Sequence, residues 1–185
     1  VTDPRSLLAC GLAELGISPA REQRERLVAL AELVDRWNAR INLTGHRGVA
    51  QILRRLVLEA VALATNLPEI ESLADVGSGA GFPGLPLAIL RPECRVTLIE
   101  SREKRHLFQR AACRVLDLRN ATPMRGRAED LEPTPHAAVV AQAVAHPESA
   151  IAWMLPWARP GGLLILPGGA TPPQIVHPRI RLQST

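Results

Sequence analysis

The run Asp75-Val76-Gly77-Ser78-Gly79-Ala80-Gly81-Phe82-Pro83-Gly84 decides the fold class. It follows Leu73–Val76, a short apolar segment that reads as a strand, and it opens a helix. Glycines let a backbone turn tightly and let a ligand approach without Cβ clashes. The next strand-like segment, Arg95–Glu100, closes on an acid 21 residues after Gly79. There Glu100 can accept hydrogen bonds from both hydroxyls of a ribose. Strand, glycine loop, helix, strand, acid is the nucleotide-binding arrangement of a doubly wound sheet. Gly79, Gly81 and Gly84 satisfy the dinucleotide pattern. The same stretch also reads Asp-x-Gly-x-Gly-x-Gly. About 70 residues precede the loop and about 100 follow it. That is little room for the further strands and substrate domain of a dehydrogenase.

Working outward, residues 21–44 carry apolar side chains at helical steps (Leu27, Leu30, Leu33, Val34, Trp37, Ile41) and predict one helix. It places Asn38 and Asn42 on one face. A second helix fits 49–65, and Asn66-Leu67-Pro68 stops it. Downstream, Lys104–Leu116 reads as an amphipathic helix with Leu107, Phe108, Ala111 and Val115 inward. Ala137–Val144 reads as a buried strand, Glu148–Trp157 as a helix, and Pro160-Gly161-Gly162 as a turn before a strand at Leu163–Leu166. The proline-rich tail offers one further strand at Ile180–Leu182. Alternating strands and helices predict a parallel sheet covered on both faces. The expected fold is α/β, a Rossmann-like doubly wound sheet at 69–185 beneath an N-terminal helical cap at 1–68, together one compact unit.

The chain has 185 residues, 46% of them apolar and 22% charged. These are globular values that exclude disorder, collagen and a disulfide scaffold. Three Trp, two Phe and no Tyr argue against a nucleic-acid binder built on rows of stacking aromatics. The net charge is +4, but Arg102 to Arg127 holds eight basic residues against only Glu103 and Asp117. Such a face attracts phosphates. Three widely spaced cysteines and five scattered histidines suggest neither disulfide nor metal. No apolar leader or spanning stretch is read, so a reduced, cytoplasmic protein free of membrane is expected.

The sequence resembles the small-subunit ribosomal RNA guanine-N7 methyltransferases, the glucose-inhibited division protein B family, from about Glu22 to Gly168. The resemblance rests on Trp37-Asn38 with Asn42-Leu43-Thr44, on the Gly-Phe-Pro-Gly-Leu-Pro extension after Asp75, on Glu100-Ser101 leading to Lys104-Arg105, on Gly126-Arg127-Ala128-Glu129, and on Pro160-Gly161-Gly162. It implies an S-adenosylmethionine cofactor held by Asp75, Gly77, Ser78, Gly79, Gly81 and Phe82, with Glu100 or Ser101 near the ribose, Ala128-Glu129 near the adenine, and Gln142 in the site. The Phe82 N–H is expected to meet the cofactor carboxylate at a helix N-terminus. Asn38, Asn42, Arg102, Lys104 and Arg105 are the candidate substrate contacts, and the implied partner is small-subunit ribosomal RNA or the ribosomal subunit, bound by a monomer. No catalytic nucleophile or base is assigned, because guanine N7 already offers a lone pair.

Three elements depart from the family pattern. Leu56, Glu59 and Ala60 stand where it holds His-x-x-Asp-Ser, Ala141-Gln142-Ala143 where it holds Ser-Arg-Ala, and Pro167-Gly168 where it holds Lys-Gly. A glutamine cannot form the bidentate fork of an arginine. The chain is also somewhat short where the family completes its sheet. A non-catalytic cofactor- or RNA-binding paralogue is therefore the alternative reading, and methyl transfer discriminates the two.

Overall fold

The computed structural model describes residues 3–142 and 146–168. Ala143 and the tail strand expected at Ile180–Leu182 lie outside the described residues. Among the described residues, five parallel strands form the sheet, in the order β3-β2-β1-β4-β5: β1 (Ser72–Val76), β2 (Arg95–Glu100), β3 (Ala121–Arg125), β4 (His136–Val140) and β5 (Ala158–Ile165). The helices are α1 (Pro4–Glu14), α2 (Arg21–Asn38), α3 (Val49–Ile52), α4 (Leu58–Asn66), α5 (Gly84–Leu90), α6 (Glu103–Val115) and α7 (Pro147–Met154).

Alternation along the strands builds both cores. Leu73, Val96, Leu98, Ala138 and Val140 point to one face, where they join buried residues of α1 to α6 in one cluster. Ala74, Val76, Ile99 and Val139 point to the other, against Ala128, Ala150, Met154 and Trp157. The sheet is thus covered on both faces, as its near-continuous apolar strands require. Polar side chains close the seams between elements. Gln23 accepts the Ala20 N–H at 2.9 Å and donates to the Ile89 and Leu90 carbonyls at the end of α5, at 3.1 and 3.0 Å. The Asn120 amide donates to three carbonyls, those of Ala88, Arg91 and Cys94.

Four sequence expectations need correction. Helix α2 ends at Asn38, not at 44, because the Asn38 side chain turns the chain. Its Oδ1 accepts the N–H groups of Leu43 and Thr44 at 3.0 and 3.1 Å, and its Nδ2 donates to the His46 carbonyl at 2.8 Å. Asn42 therefore lies in a loop and shares no helix face with Asn38. The 49–65 segment is helical throughout, but Leu53–Val57 winds as a π turn between α3 and α4. On α6 the buried positions are Phe108, Gln109 and Ala112, whereas Leu107 and Val115 are 45% and 59% exposed. The packed face is rotated toward the sheet relative to the stripe that Leu107 suggests. Pro160-Gly161-Gly162 is part of β5 rather than a turn before it. The register passes from His136↔Ala158 to Ala138↔Leu163, so the extra residues bulge, with Gly161 at φ +75°. Strand β3 carries no signal in the pattern. Its Pro123 is tolerated because β3 is an edge.

Candidate cofactor and substrate site

All five strands are parallel, so their carboxyl ends lie along one side of the sheet. Strand order reverses between β1 and β4, which is where a doubly wound sheet opens a ligand crevice. Each of the segments expected to hold the cofactor leaves a strand at this side: Gly77–Gly84 after β1, Glu100-Ser101 at the end of β2, Ala128-Glu129 beyond β3, and Gln142 beyond β4.

The glycine loop is shaped by backbone conformations that side chains resist. Gly77, Gly79 and Gly81 have φ of +69°, +56° and +81°. A Cβ at Gly84 would stand 2.3 Å from Leu98 Cδ2 and 2.8 Å from Asp75 Oδ2, so helix α5 can start this close to β1 only from a glycine. Asp75 is 1% exposed. Its Oδ2 accepts the Gly84 N–H at 2.8 Å, while Oδ1 is buried without a partner. Burial raises the Asp75 carboxyl to about 7; the Gly84 N–H opposes that rise, and the nearby Glu100 charge adds to it.

Glu100 is also buried, yet well supplied with donors. Its Oε2 accepts the Gly79 N–H at 3.0 Å and its Oε1 accepts the Arg102 N–H at 2.7 Å. Arg105 Nη1 stands 3.7 Å from Oε2. The Glu100 carbonyl accepts the Gly126 N–H at 3.2 Å, which draws the loop after β3 toward the end of β2. In that loop Ala128 is buried and its carbonyl accepts the Trp157 indole N–H at 3.1 Å, whereas Glu129 is exposed beside Arg127. Ser101 is exposed and Gln142 half-buried.

The Phe82 N–H donates to the Ser78 carbonyl at 3.0 Å. It is spent inside the loop, so the expected presentation of this group to a carboxylate at a helix N-terminus is corrected. Ser78 is buried, and its hydroxyl donates to the Ile99 carbonyl and accepts from Gln109 Nε2 at 2.8 Å. Gln109 was missed by sequence reading. It is fully buried, and its Nε2 also donates to the Gly79 carbonyl at 2.8 Å, pinning the loop to α6. The one available signal was a polar residue adjoining Phe108 on a helix that packs against the loop.

Among the substrate candidates, Arg102 and Lys104 are exposed at the start of α6, and Arg105 is tucked over the loop, 28% exposed. Asn38 is 2% exposed with its amide engaged within the chain, and Asn42 Oδ1 accepts from Arg47 at 3.2 Å. The structure thus gathers Asp75, Ser78, Gly79, Glu100 and Arg105 at one place and assigns Asn38 to the shape of its own loop. Among the described residues, no cluster of three or more His, Cys, Asp or Glu side chains could hold a metal ion, and no helix is long and apolar enough to cross a membrane.

Comparison with known proteins gives this crevice its family. A family model described as GidB, rRNA small subunit methyltransferase G, matches residues 23–178. The ribosomal RNA small subunit methyltransferase G of Azoarcus sp. (strain BH72) is 40% identical over 126 residues, 68% of this chain and 59% of that protein. Its counterpart in Roseiflexus castenholzii (strain DSM 13941 / HLO8) is 37% identical over 174 residues, 90% of this chain and 74% of that protein. The matched residues thus span about three fifths of the first relative's length and about three quarters of the second's. Among solved structures, coclaurine N-methyltransferase bound to N-methylheliamine and SAH superposes with a TM-score of 0.55 at 18% identity, over 88% of this chain and 57% of that one, a likeness of fold. On the match over residues 23–178, the chain belongs to the rRNA small subunit methyltransferase G family.

Proposed function

We propose that the chain transfers a methyl group from S-adenosylmethionine to N7 of a guanine in small-subunit ribosomal RNA. The observation that carries the reading is the strand reversal between β1 and β4, with the Asp75–Gly84 loop and Glu100 at the strand ends beside it, in a chain matched to this family over most of its length. The residues fit the cofactor. Outside its chain neighbours, the nearest heavy atom to where a Cβ on Gly79 would stand is Arg105 Nη1 at 3.8 Å, and the buried Asp75 Oδ1 lacks a donor. Asp75, Gly77, Ser78, Gly79 and Gly81 would form the cradle, Phe82 would contribute shape rather than a free N–H, Glu100 or Ser101 would meet the ribose, and Ala128-Glu129 the adenine. Gln142 would line the far side.

S-adenosylmethionine supplies, when bound, a methyl on a sulfonium whose departure leaves a neutral thioether. Guanine N7 needs no deprotonation, so this chain's residues have only to hold the acceptor in line and exclude competing nucleophiles. Glu100 has its two carboxylate oxygens fixed by backbone donors and is pre-set rather than reorganised on binding. Arg102, Lys104 and Arg105 at the rim would meet RNA phosphates. The helices at 1–68 act as a cap on the unit at 69–185, and the protein works as a cytoplasmic monomer.

A second reading, a non-catalytic paralogue, is favoured by one observation. Leu56, where the family holds a histidine, is half-buried against the apolar core and offers no polar group. Calorimetric titration with S-adenosylmethionine, with NAD as control, followed by labelled-methyl transfer to ribosomal subunits and to naked ribosomal RNA, decides between them. Binding with transfer supports the enzyme. Binding without transfer supports the paralogue, and NAD binding in place of S-adenosylmethionine overturns both.

A further inference from the structure

Three arginines of the basic stretch stand apart from the crevice. Arg110 and Arg114 lie one turn apart on the outer flank of α6, and Arg119 follows in the loop before β3. Together with Cys113, Asp117 and Pro123 they line a shallow, open pocket of 390 Å³ between α6 and the edge strand. At 1.5 Å rise per residue, Arg110 and Arg114 sit about 10 and about 17 Å down α6 from its first residue, and thus from the crevice end.

Some helix arginines of this chain are neutralised by an acid one turn away. On α2, Arg21 meets Glu25 and Arg26 meets Glu22, and Arg55 meets Glu59, each four residues away. On α6, Arg110 and Arg114 occupy the same spacing as two like charges, which repel on a helix surface. Neither has an ion-pair partner among the described residues. Asp117, the only acid lining the pocket among the described residues, is paired with Arg119 at 3.1 Å. Burial raises the Cys113 thiol to about 11, so at neutral pH it adds no negative charge. The pocket therefore carries uncompensated positive charge on planar donors. It has no aromatic lining of the kind that anchors protein–protein contacts. Exposed Arg102 and Lys104 continue the positive track back to the crevice.

We propose that the pocket of Arg110, Arg114 and Arg119 grips the phosphate backbone of the substrate RNA, as an anchor separate from the crevice that holds the target base. This rests on the reading of RNA as substrate. Backbone contacts of this kind fix register and orientation without reading sequence.

The test is binding of in vitro transcribed small-subunit ribosomal RNA across a salt series, comparing wild type with Arg110→Gln/Arg114→Gln, the charge-keeping Arg110→Lys/Arg114→Lys, and Arg21→Gln/Arg24→Gln on α2 as control. The glutamine pair should bind RNA about tenfold or more weakly at low salt, and its salt dependence should flatten by roughly one to two in log–log slope. The lysine pair should recover most of the affinity, and the α2 control should match wild type. Thermal unfolding and calorimetric cofactor binding should be unchanged in all. Equal affinity and equal slope for the glutamine pair overturn the anchor, whether or not methyl transfer is found. Poly-glutamate binding that depends on Arg110 and Arg114, with RNA binding that does not, assigns the pocket to an acidic protein segment and also overturns it. Salt-dependent RNA binding lost in the glutamine pair, in a protein without methyl transfer, keeps the anchor and removes only the enzymatic reading.

Discussion

Asp75 makes a pH dependence that a single substitution should erase. Its carboxyl is raised from 3.8 to about 7, chiefly by burial. Below about pH 4 it is protonated in the folded and unfolded chain alike, and no penalty arises. As pH rises the unfolded chain ionises first, while the folded chain holds its proton until about 7. The folded state therefore loses stability progressively through that window and reaches a plateau above it. At roughly 1.4 kcal/mol per pH interval, the penalty grows by about 3 kcal/mol between pH 5 and pH 8. Asp75→Asn keeps an oxygen for the Gly84 N–H and cannot ionise. Urea unfolding of both proteins at about pH 5 and about pH 8 gives a double difference in which other titrating groups cancel. The variant should gain roughly 3 kcal/mol on wild type over that range. A constant difference between the two proteins refutes the reasoning. A ligand that donates to Oδ1 should also pull the proton away. S-adenosylmethionine binding near pH 6 should then release a proton, read as a dependence of calorimetric heat on buffer ionisation enthalpy.

Gln109→Leu should cost about 2 kcal/mol by removing two hydrogen bonds and stranding the Gly79 carbonyl, a fall of about 4–8 °C in melting temperature with weaker cofactor binding. Calorimetry and thermal unfolding together check this. Gly84→Ala should destabilise by about 1–3 kcal/mol, because its Cβ would stand 2.3 Å from Leu98 Cδ2 and 2.8 Å from Asp75 Oδ2, and these buried side chains must shift to admit it. Denaturant unfolding reads it directly. Gln142→Arg, returning the guanidinium of the pattern the sequence resembles, should tighten cofactor binding or speed methyl transfer, as calorimetry and labelled-methyl transfer would show; no gain in either would count against a loss at this position.

The parts of this molecule legible in sequence are those where backbone geometry dictates residue type. The glycine loop could be read because positive φ and close approach exclude side chains at Gly79, Gly81 and Gly84. Glu100 could be read because a strand end fixes its place relative to that loop. Strand β2 was read to its ends from its alternation. Where a residue's role depends on what lies across the fold, local pattern failed. Asn38 looked like one side chain on a long helix, but its amide ends that helix by bonding Leu43 and Thr44. Gln109 looked like surface on an amphipathic helix, and only the Ser78 hydroxyl and Gly79 carbonyl opposite it explain its burial. Leu107 suggested a buried stripe that packing rotated away. Strand β3 is short, carries a proline and lies at an edge, so neither period nor propensity marks it. Phe82 was placed correctly in the loop, but its N–H was assigned to a ligand because a sequence does not show that the turn itself consumes it.

The charge layout makes physical sense of the two halves of the proposed reaction. A cationic methyl donor and a polyanionic acceptor call for opposite fields within one small protein. The acids Asp75 and Glu100 lie buried at the strand ends, where low dielectric strengthens a charge's influence and salt screens it little. The arginines lie outside on α6, in water, where the field that draws phosphates is screened over about 8 Å at physiological salt. Arg105 is the exception, sitting between the two with its guanidinium 3.7 Å from Glu100. Arg105 therefore marks the boundary at which the donor field gives way to the acceptor field. Replacing it with glutamine should weaken RNA and strengthen the pull of Glu100 on a cation. The two binding constants should move in opposite directions, as parallel calorimetric and RNA titrations would show. A shift of both in the same direction would mean that Arg105 serves to hold the loop rather than to separate the fields.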